Sequence, residues 1–280
     1  MPEMNIYDIL CMPLRDVVPL GITIVFSFIF GSCLGSFLNV CIWRIPLGES
    51  VVVVPSHCPK CNHKIRWFDN VPVIGFLALG GKCRDCKAPI SPRYIIMELL
   101  VGALFTVPAA LIYTGEGAVK DLIALTIILS VIVPCAFIDA EHRKLPDKLT
   151  YFGMISGVLY NWVFIAGRGM THADSLLWSL QGLLAGVVGL GSFAWLTGKL
   201  LKKRTLGMGD VKYAGFMGAI SGIPGLLTAL CAASVLAVAG YAIAKIFRKK
   251  VSADGMVPFG PYLGTAVYAI YTLSWLVAVV

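Results

Sequence analysis

The stretch Gly207–Lys212, GMGDVK, sets one carboxylate, Asp210, beside two glycines at the mouth of an apolar run, just after the basic cluster KLLKKR (199–204). A carboxylate in that position means one thing in water and another in a bilayer, so the solvent has to be settled first. Composition settles it. Of 280 residues 58% are hydrophobic and 14% charged, with a mean hydropathy of +0.83, whereas a soluble domain carries roughly a quarter charged residues. Apolar runs recur along most of the chain, which points to one polytopic membrane domain immersed in lipid.

Working outward from Asp210, the pattern predicts an all-α membrane bundle of about eight helices. The expected spans are 17–43, 94–113, 122–138, 149–166, 176–200, 211–220, 226–246 and 262–280. All but the sixth come near the ~20 residues a crossing needs. The loops then divide the 23 Lys and Arg residues 20 to 3, with only Arg15, Lys120 and Arg168 on the poor side. The positive-inside rule makes the rich side cytoplasmic and both termini outward-facing. The net charge of +8 is therefore a loop signature, and no nucleic-acid partner is expected. Glu3, Asp8 and Asp16 leave the N-terminus without a basic region, so the first apolar run reads as an uncleaved anchor.

Three regions follow: an N-terminal segment with the first helix (1–43), a polar insert (44–93), and a membrane domain (94–280). The insert is too short to hold an independent core without a staple. Cys58 and Cys61 form one CxxC and Cys83 and Cys86 another, a pattern that offers four thiolates to a structural Zn²⁺. The spacer between the pairs is slightly longer than in zinc ribbons. A dithiol redox pair and a nucleophilic thiol are the competing readings. The segment GLLAGVVGLG (182–191) carries a GxGxxG-like echo, but no strand precedes it, and small residues four apart between apolar flanks are ordinary helix-packing positions.

On the cytoplasmic side only a few carboxylates fall at or inside expected spans: Glu98, Asp139, Asp147 and Asp210. Asp147 follows Pro146 and reads as a helix N-cap, and Asp210 could cap its helix too. Capping alone does not call for glycine at both 207 and 209, where the missing side chains would let an extended substrate backbone approach. Asp139 and Asp210 lie 71 residues apart yet end on the same membrane side. Two carboxylates in close approach do not both ionise cheaply, so a pair shares a proton. One can activate water while the other polarises a peptide carbonyl, which is aspartic-protease chemistry. A proton-coupled transporter is the rival reading, since intramembrane carboxylates also mark ion paths.

The motifs in order are GSFLNVCIWRIP (35–46), the double CxxC, FIDAEHRKLPDKLT (137–150), GMGDVK and PFGPYLG (258–264). Together they resemble the type IV prepilin peptidase family, the bifunctional leader peptidases and N-methyltransferases of the bacterial inner membrane. The resemblance implies a GxGD-type aspartic peptidase with Asp139 and Asp210 as its catalytic pair and Asp147 outside it. It implies substrates that are type IV prepilins or type II secretion pseudopilins, whose short basic leader is removed at the cytoplasmic face. It also implies methylation of the new N-terminus by S-adenosylmethionine, and metal binding by Cys58, Cys61, Cys83 and Cys86. No Rossmann fingerprint marks a methyl-donor site, so its residues stay unassigned.

Overall fold

The computed structural model describes residues 6–164, 170–202, 206–246 and 258–279. The ends of the fourth and eighth expected spans, together with Glu3, Arg168, Lys203, Arg204, Arg248, Lys249 and Lys250, lie outside the described residues. Within them the chain is helical and holds no β-strand. Five helical stretches are long and apolar enough to cross a membrane: Leu20–Arg44, Arg93–Thr114, Val119–His142, His172–Leu201 and Met208–Ile243.

Contacts divide the chain into two units, Pro13–Gly117 and Met1–Met12 with Ala118–Val280. The short α1 (Ile6–Cys11) belongs to the second. In the first, α2 (Leu14–Val17) leads into α3 (Leu20–Arg44), and the polar insert carries a 3₁₀ turn, Trp67–Asn70, and α4 (Ile74–Ala78) before α5 (Arg93–Thr114). Helices α3 and α5 pack through notches. A Cβ at Gly31 would stand 2.7 Å from Phe105 Cβ, and one at Gly35 would stand 2.8 Å from the Met97 carbonyl. Small residues four apart let two backbones approach in lipid, where no hydrophobic effect drives helices together.

The second unit holds α6 (Val119–His142), α7 (Asp147–Phe164), α8 (His172–Leu184) continuing through a π-helical turn (Ala185–Gly189) into α9 (Leu190–Leu201), α10 (Met208–Ile246) and α11 (Gly260–Val279). The glycine-rich segment expected to pack does so. Side chains at Gly182 and Gly186 would collide with the Gly218 and Ala214 carbonyls of α10.

Helix α10 is interrupted at Gly222 (φ 64°, ψ −172°), two residues before Pro224. The chain doubles back there. A straight helix would carry Gly240 about 40 Å beyond Tyr213, yet Gly240 lies against Tyr262 and Tyr213 Oη against Gly264, both in the opening turns of α11. The interruption falls between the sixth and seventh expected spans. The first arm, 208–221, is only about 21 Å long, short of the ~30 Å hydrocarbon thickness. The reversal therefore needs polar partners inside the protein. Asn161 Nδ2 of α7 donates to the Ala219 and Ile220 carbonyls (2.6 and 3.3 Å), and Ser179 Oγ of α8 donates to Ala219 (2.6 Å). The Ile220 carbonyl is the one whose i+4 donor would have been Pro224, which has no N–H.

Candidate active site

Asp139 sits in the last turn of α6, which ends on Arg143 in the left-handed region (φ 53°), its N–H bonding back to the Asp139 carbonyl at 2.9 Å. The Asp139 carboxylate is buried, and its Oδ2 accepts the Gly260 N–H at 2.9 Å. Gly260 opens α11, so the helix N-terminus, with its orphan donors and partial positive charge, faces the carboxylate. A Cβ at 260 would stand 2.8 Å from Asp139 Oδ2. Only glycine lets the backbone come this close.

Asp210 is the third residue of α10, one turn after Gly207, whose carbonyl receives the first helical N–H groups (Asp210 N at 3.1 Å, Val211 N at 3.3 Å). Its Oδ2 reaches back to the Gly207 N–H at 3.3 Å, the carboxylate half of a capping box. Gly207 is thus the cap, and Asp210 caps through it. A Cβ at 207 would stand 3.0 Å from that oxygen, and one at 209 would stand 2.8 Å from Leu145 Cβ. Leu145, in the α6–α7 connection, also lies 3.1 Å from the position of a Gly260 Cβ. It therefore binds the starts of α10 and α11 to the end of α6.

Asp147 lies apart from this arrangement in chemistry. Pro146 receives the first helical N–H groups of α7, those of Leu149 and Thr150, so Asp147 is its first residue rather than its cap. Its carboxylate pairs with Lys212 Nζ at 2.8 Å, and the ammonium also lies over the Tyr151 ring. Glu98 is buried on α5 and accepts the Val73 N–H of the insert at 2.8 Å. Sequence reasoning missed Leu145 and Gly260. Both stand inside motifs it had singled out, FIDAEHRKLPDKLT and PFGPYLG, and the close glycine approach was the missing signal.

In the other unit the two CxxC pairs fold as twins. In the first, Cys58 N–H bonds the His63 carbonyl, Asn62 N–H bonds Cys58, and Ile65 N–H bonds Ser56. In the second, Cys83 bonds Ala88, Lys87 bonds Cys83, and Ile90 bonds Gly81. Each turn places one residue in the left-handed region, Asn62 (φ 55°) and Lys87 (φ 58°). The four Sγ atoms gather within 4.8 Å of one another, with Cys58 and Cys86 at 3.8 Å. A tetrahedron of thiolates at ~2.3 Å from Zn²⁺ has edges of ~3.8 Å, so the cluster fits that ion. The Cys61 and Lys60 amides hold the Cys58 thiol down to about 6. The Cys61 thiol is pulled down by the His63 amide but pushed up to about 12 by desolvation and by the Cys86, Cys58 and Cys83 sulfurs around it. The four sulfurs act on one another, and a divalent cation bound among them would ionise the thiols.

Two family models match the chain: the bacterial peptidase A24 N-terminal domain over residues 29–112 and the type IV leader peptidase family over residues 123–243. A prepilin leader peptidase/N-methyltransferase of Klebsiella pneumoniae is 38% identical over 215 residues, covering 75% of this chain and 90% of that protein. The chain belongs to the type IV leader peptidase family. A Myxococcus xanthus (strain DK1622) protein of the same name is 37% identical, over 75% of this chain and 60% of its own length. The type 4 prepilin-like proteins leader peptide-processing enzyme of Escherichia coli O78:H11 is 32% identical over 85% of the chain and 90% of its length. No solved structure matches. The second family model takes in both Asp139 and Asp210, and the first takes in the whole cysteine cluster.

Proposed function

We propose that this chain removes the short basic leader of type IV prepilins or type II secretion pseudopilins and then methylates the new N-terminus. The observation that carries the reading is the convergence of Asp139, Asp210 and the α10 and α11 N-termini in a chain belonging to this family. Asp139 and Asp210 serve as the dyad. One carboxylate takes a proton from water, whose oxygen attacks the scissile carbonyl carbon. The protonated partner donates to the carbonyl oxygen, and the C–N bond then breaks with the proton passing to the leaving amine. Gly207, exposed beside Asp210, leaves the flank of that carboxylate open to an extended substrate backbone, whereas the expected substrate approach at Gly209 is taken up by Leu145.

The topology that suits this chemistry has eight crossings with both termini outside, the two arms of α10 supplying the sixth and seventh. The basic loops and the dyad then share the cytoplasmic face of a bacterial inner membrane, where a basic leader would present its cleavage site. The insert, 44–93, serves the methyltransferase. Cys58, Cys61, Cys83 and Cys86 hold a structural Zn²⁺, because four thiolates leave no coordination position for substrate. S-adenosylmethionine supplies an electrophilic methyl group, and the freed N-terminal amine receives it. A proton-coupled transporter is not favoured, since nothing in its chemistry calls for the cysteine twin or the family's motifs.

The test is to incubate the purified full chain with a prepilin and S-adenosylmethionine and to weigh the product. A shortened product carrying one added methyl is expected. An intact prepilin beside a folded enzyme would overturn the peptidase assignment, and a shortened, unmethylated one would overturn the second activity.

A further inference from the structure

The insert carries a set of large apolar side chains that its own fold does not cover. Trp67 is 82% exposed, Ile74 and Leu77 are each 65%, and Phe68 is 44%. Ile74 and Leu77 stand three apart on α4 and so share a face.

What covers them follows from how α4 is tethered. The residue before it, Val73, has φ 63° and ψ −54°, and the Ile74 N–H bonds back to the Pro72 carbonyl at 2.6 Å. This is a γ-turn of the rare positive-φ kind, and a β-branched residue rarely adopts it. The Val73 N–H is held by Glu98 Oε2. Glu98 lies five residues into α5, about 8 Å along its axis. The start of α4 is therefore fixed beside the second turn of α5, not beyond its end. At that level α5 exposes Tyr94, Ile96 and Leu99, residues of a helix long and apolar enough to cross a membrane. Ile74 and Leu77 are exposed on the short helix that starts at this level.

Charge agrees. Residues 44–93 hold eight basic against three acidic side chains. The apolar set is bordered by Arg84, which lies over the Phe68 ring at 5.4 Å and pairs with Asp69. An apolar face bordered by aromatic and basic residues suits the boundary between acyl chains and anionic headgroups.

We propose that Trp67, Phe68, Ile74 and Leu77 seat the insert in the interface of an anionic lipid bilayer, with the Glu98–Val73 bond as the hook that sets its depth. The cysteine cluster is then held at the membrane surface rather than on a domain standing free in water. Any chain it serves must have its reacting end at that surface too.

The full chain is reconstituted in vesicles of phosphatidylethanolamine and phosphatidylglycerol with brominated acyl chains. Trp67→Phe against wild type isolates the Trp67 emission, and Leu77→Trp against wild type reports position 77. Both signals should lose most of their intensity to the bromolipid and resist acrylamide in the water. Quenching by acrylamide but not by bromine would overturn the proposal. So would acrylamide quenching that disappears only when a prepilin is added, since the surface would then belong to substrate. In the Leu77→Trp background, Glu98→Gln keeps an acceptor for Val73 and should leave the reading unchanged. Glu98→Leu should move position 77 into reach of acrylamide, and an unmoved signal would refute the hook. If Glu98→Leu fails to fold, the Trp67 and position-77 signals in the chain with Glu98 intact still decide the seating.

Discussion

Removing both side-chain donors at the α10 reversal should cost more than the sum of removing each. The Ala219 carbonyl has two donors, Asn161 Nδ2 and Ser179 Oγ, each at 2.6 Å, and the Ile220 carbonyl has only Asn161 at 3.3 Å. Both donor residues are fully buried. Ser179→Ala leaves Ala219 one partner, so its cost should be near the ~0.6 kcal/mol average for hydrogen bonds in membrane proteins. Asn161→Leu keeps the branched outline but strips Ile220 of its donor, for about 1–3 kcal/mol. The double variant also orphans Ala219, and an unsatisfied buried acceptor costs about 1–3 kcal/mol. A coupling of about 1 kcal/mol beyond additivity is expected. Unfolding of the four proteins in mixed micelles measures the cycle. Strict additivity would mean that water or another group satisfies these carbonyls and that the account of the reversal is wrong. Cleavage should fall along the same series, because the arm that ends at the Gly222 reversal carries Asp210 in its first turn.

Three further outcomes follow from the geometry. Gly260→Val would force a side chain into the 2.8 Å approach to Asp139 Oδ2. A displacement of about 1 Å at a catalytic group costs about 10²-fold, so kcat/KM should fall by that order while helical content stays unchanged. Gly182→Val must separate α8 from the Gly218 carbonyl, and overpacking of this kind costs about 1–3 kcal/mol, read as a lower melting temperature in detergent. Protons compete with a metal for the thiolates of the cysteine cluster. Acidification, like a strong chelator, should release one Zn²⁺ per chain, measured with a zinc-sensitive dye. Cys58→Ser should release it at higher pH than wild type.

Asp139 and Asp210 could be flagged in the sequence because each lies at the boundary of an apolar run, where a carboxylate without a task is expensive. The cysteines were legible for a related reason, as two CxxC pairs in one short polar segment point to one centre. The break in α10 showed as two apolar runs divided by SGIPG (221–225). Other features depend on what the chain meets in three dimensions. Asp147 looked like a cap because capping is local, but Lys212, 65 residues away, takes its carboxylate. Gly260 and Leu145 matter only because α11, α10 and the end of α6 meet. Glu98 could be flagged as a buried charge, but its partner is a main-chain N–H in an unusual turn, and no residue type announces that.

The central claim is that Asp139 and Asp210 are the reacting carboxylates and that Asp147 is not. The measurement that tests it most directly is cleavage of a purified prepilin in detergent by wild type, Asp139→Asn, Asp210→Asn and Asp147→Asn, each verified as folded. The account predicts that the first two variants lose cleavage and that Asp147→Asn, which forfeits only its ion pair with Lys212, keeps it. Cleavage that survives Asp139→Asn or Asp210→Asn, or that is lost in Asp147→Asn, would contradict it.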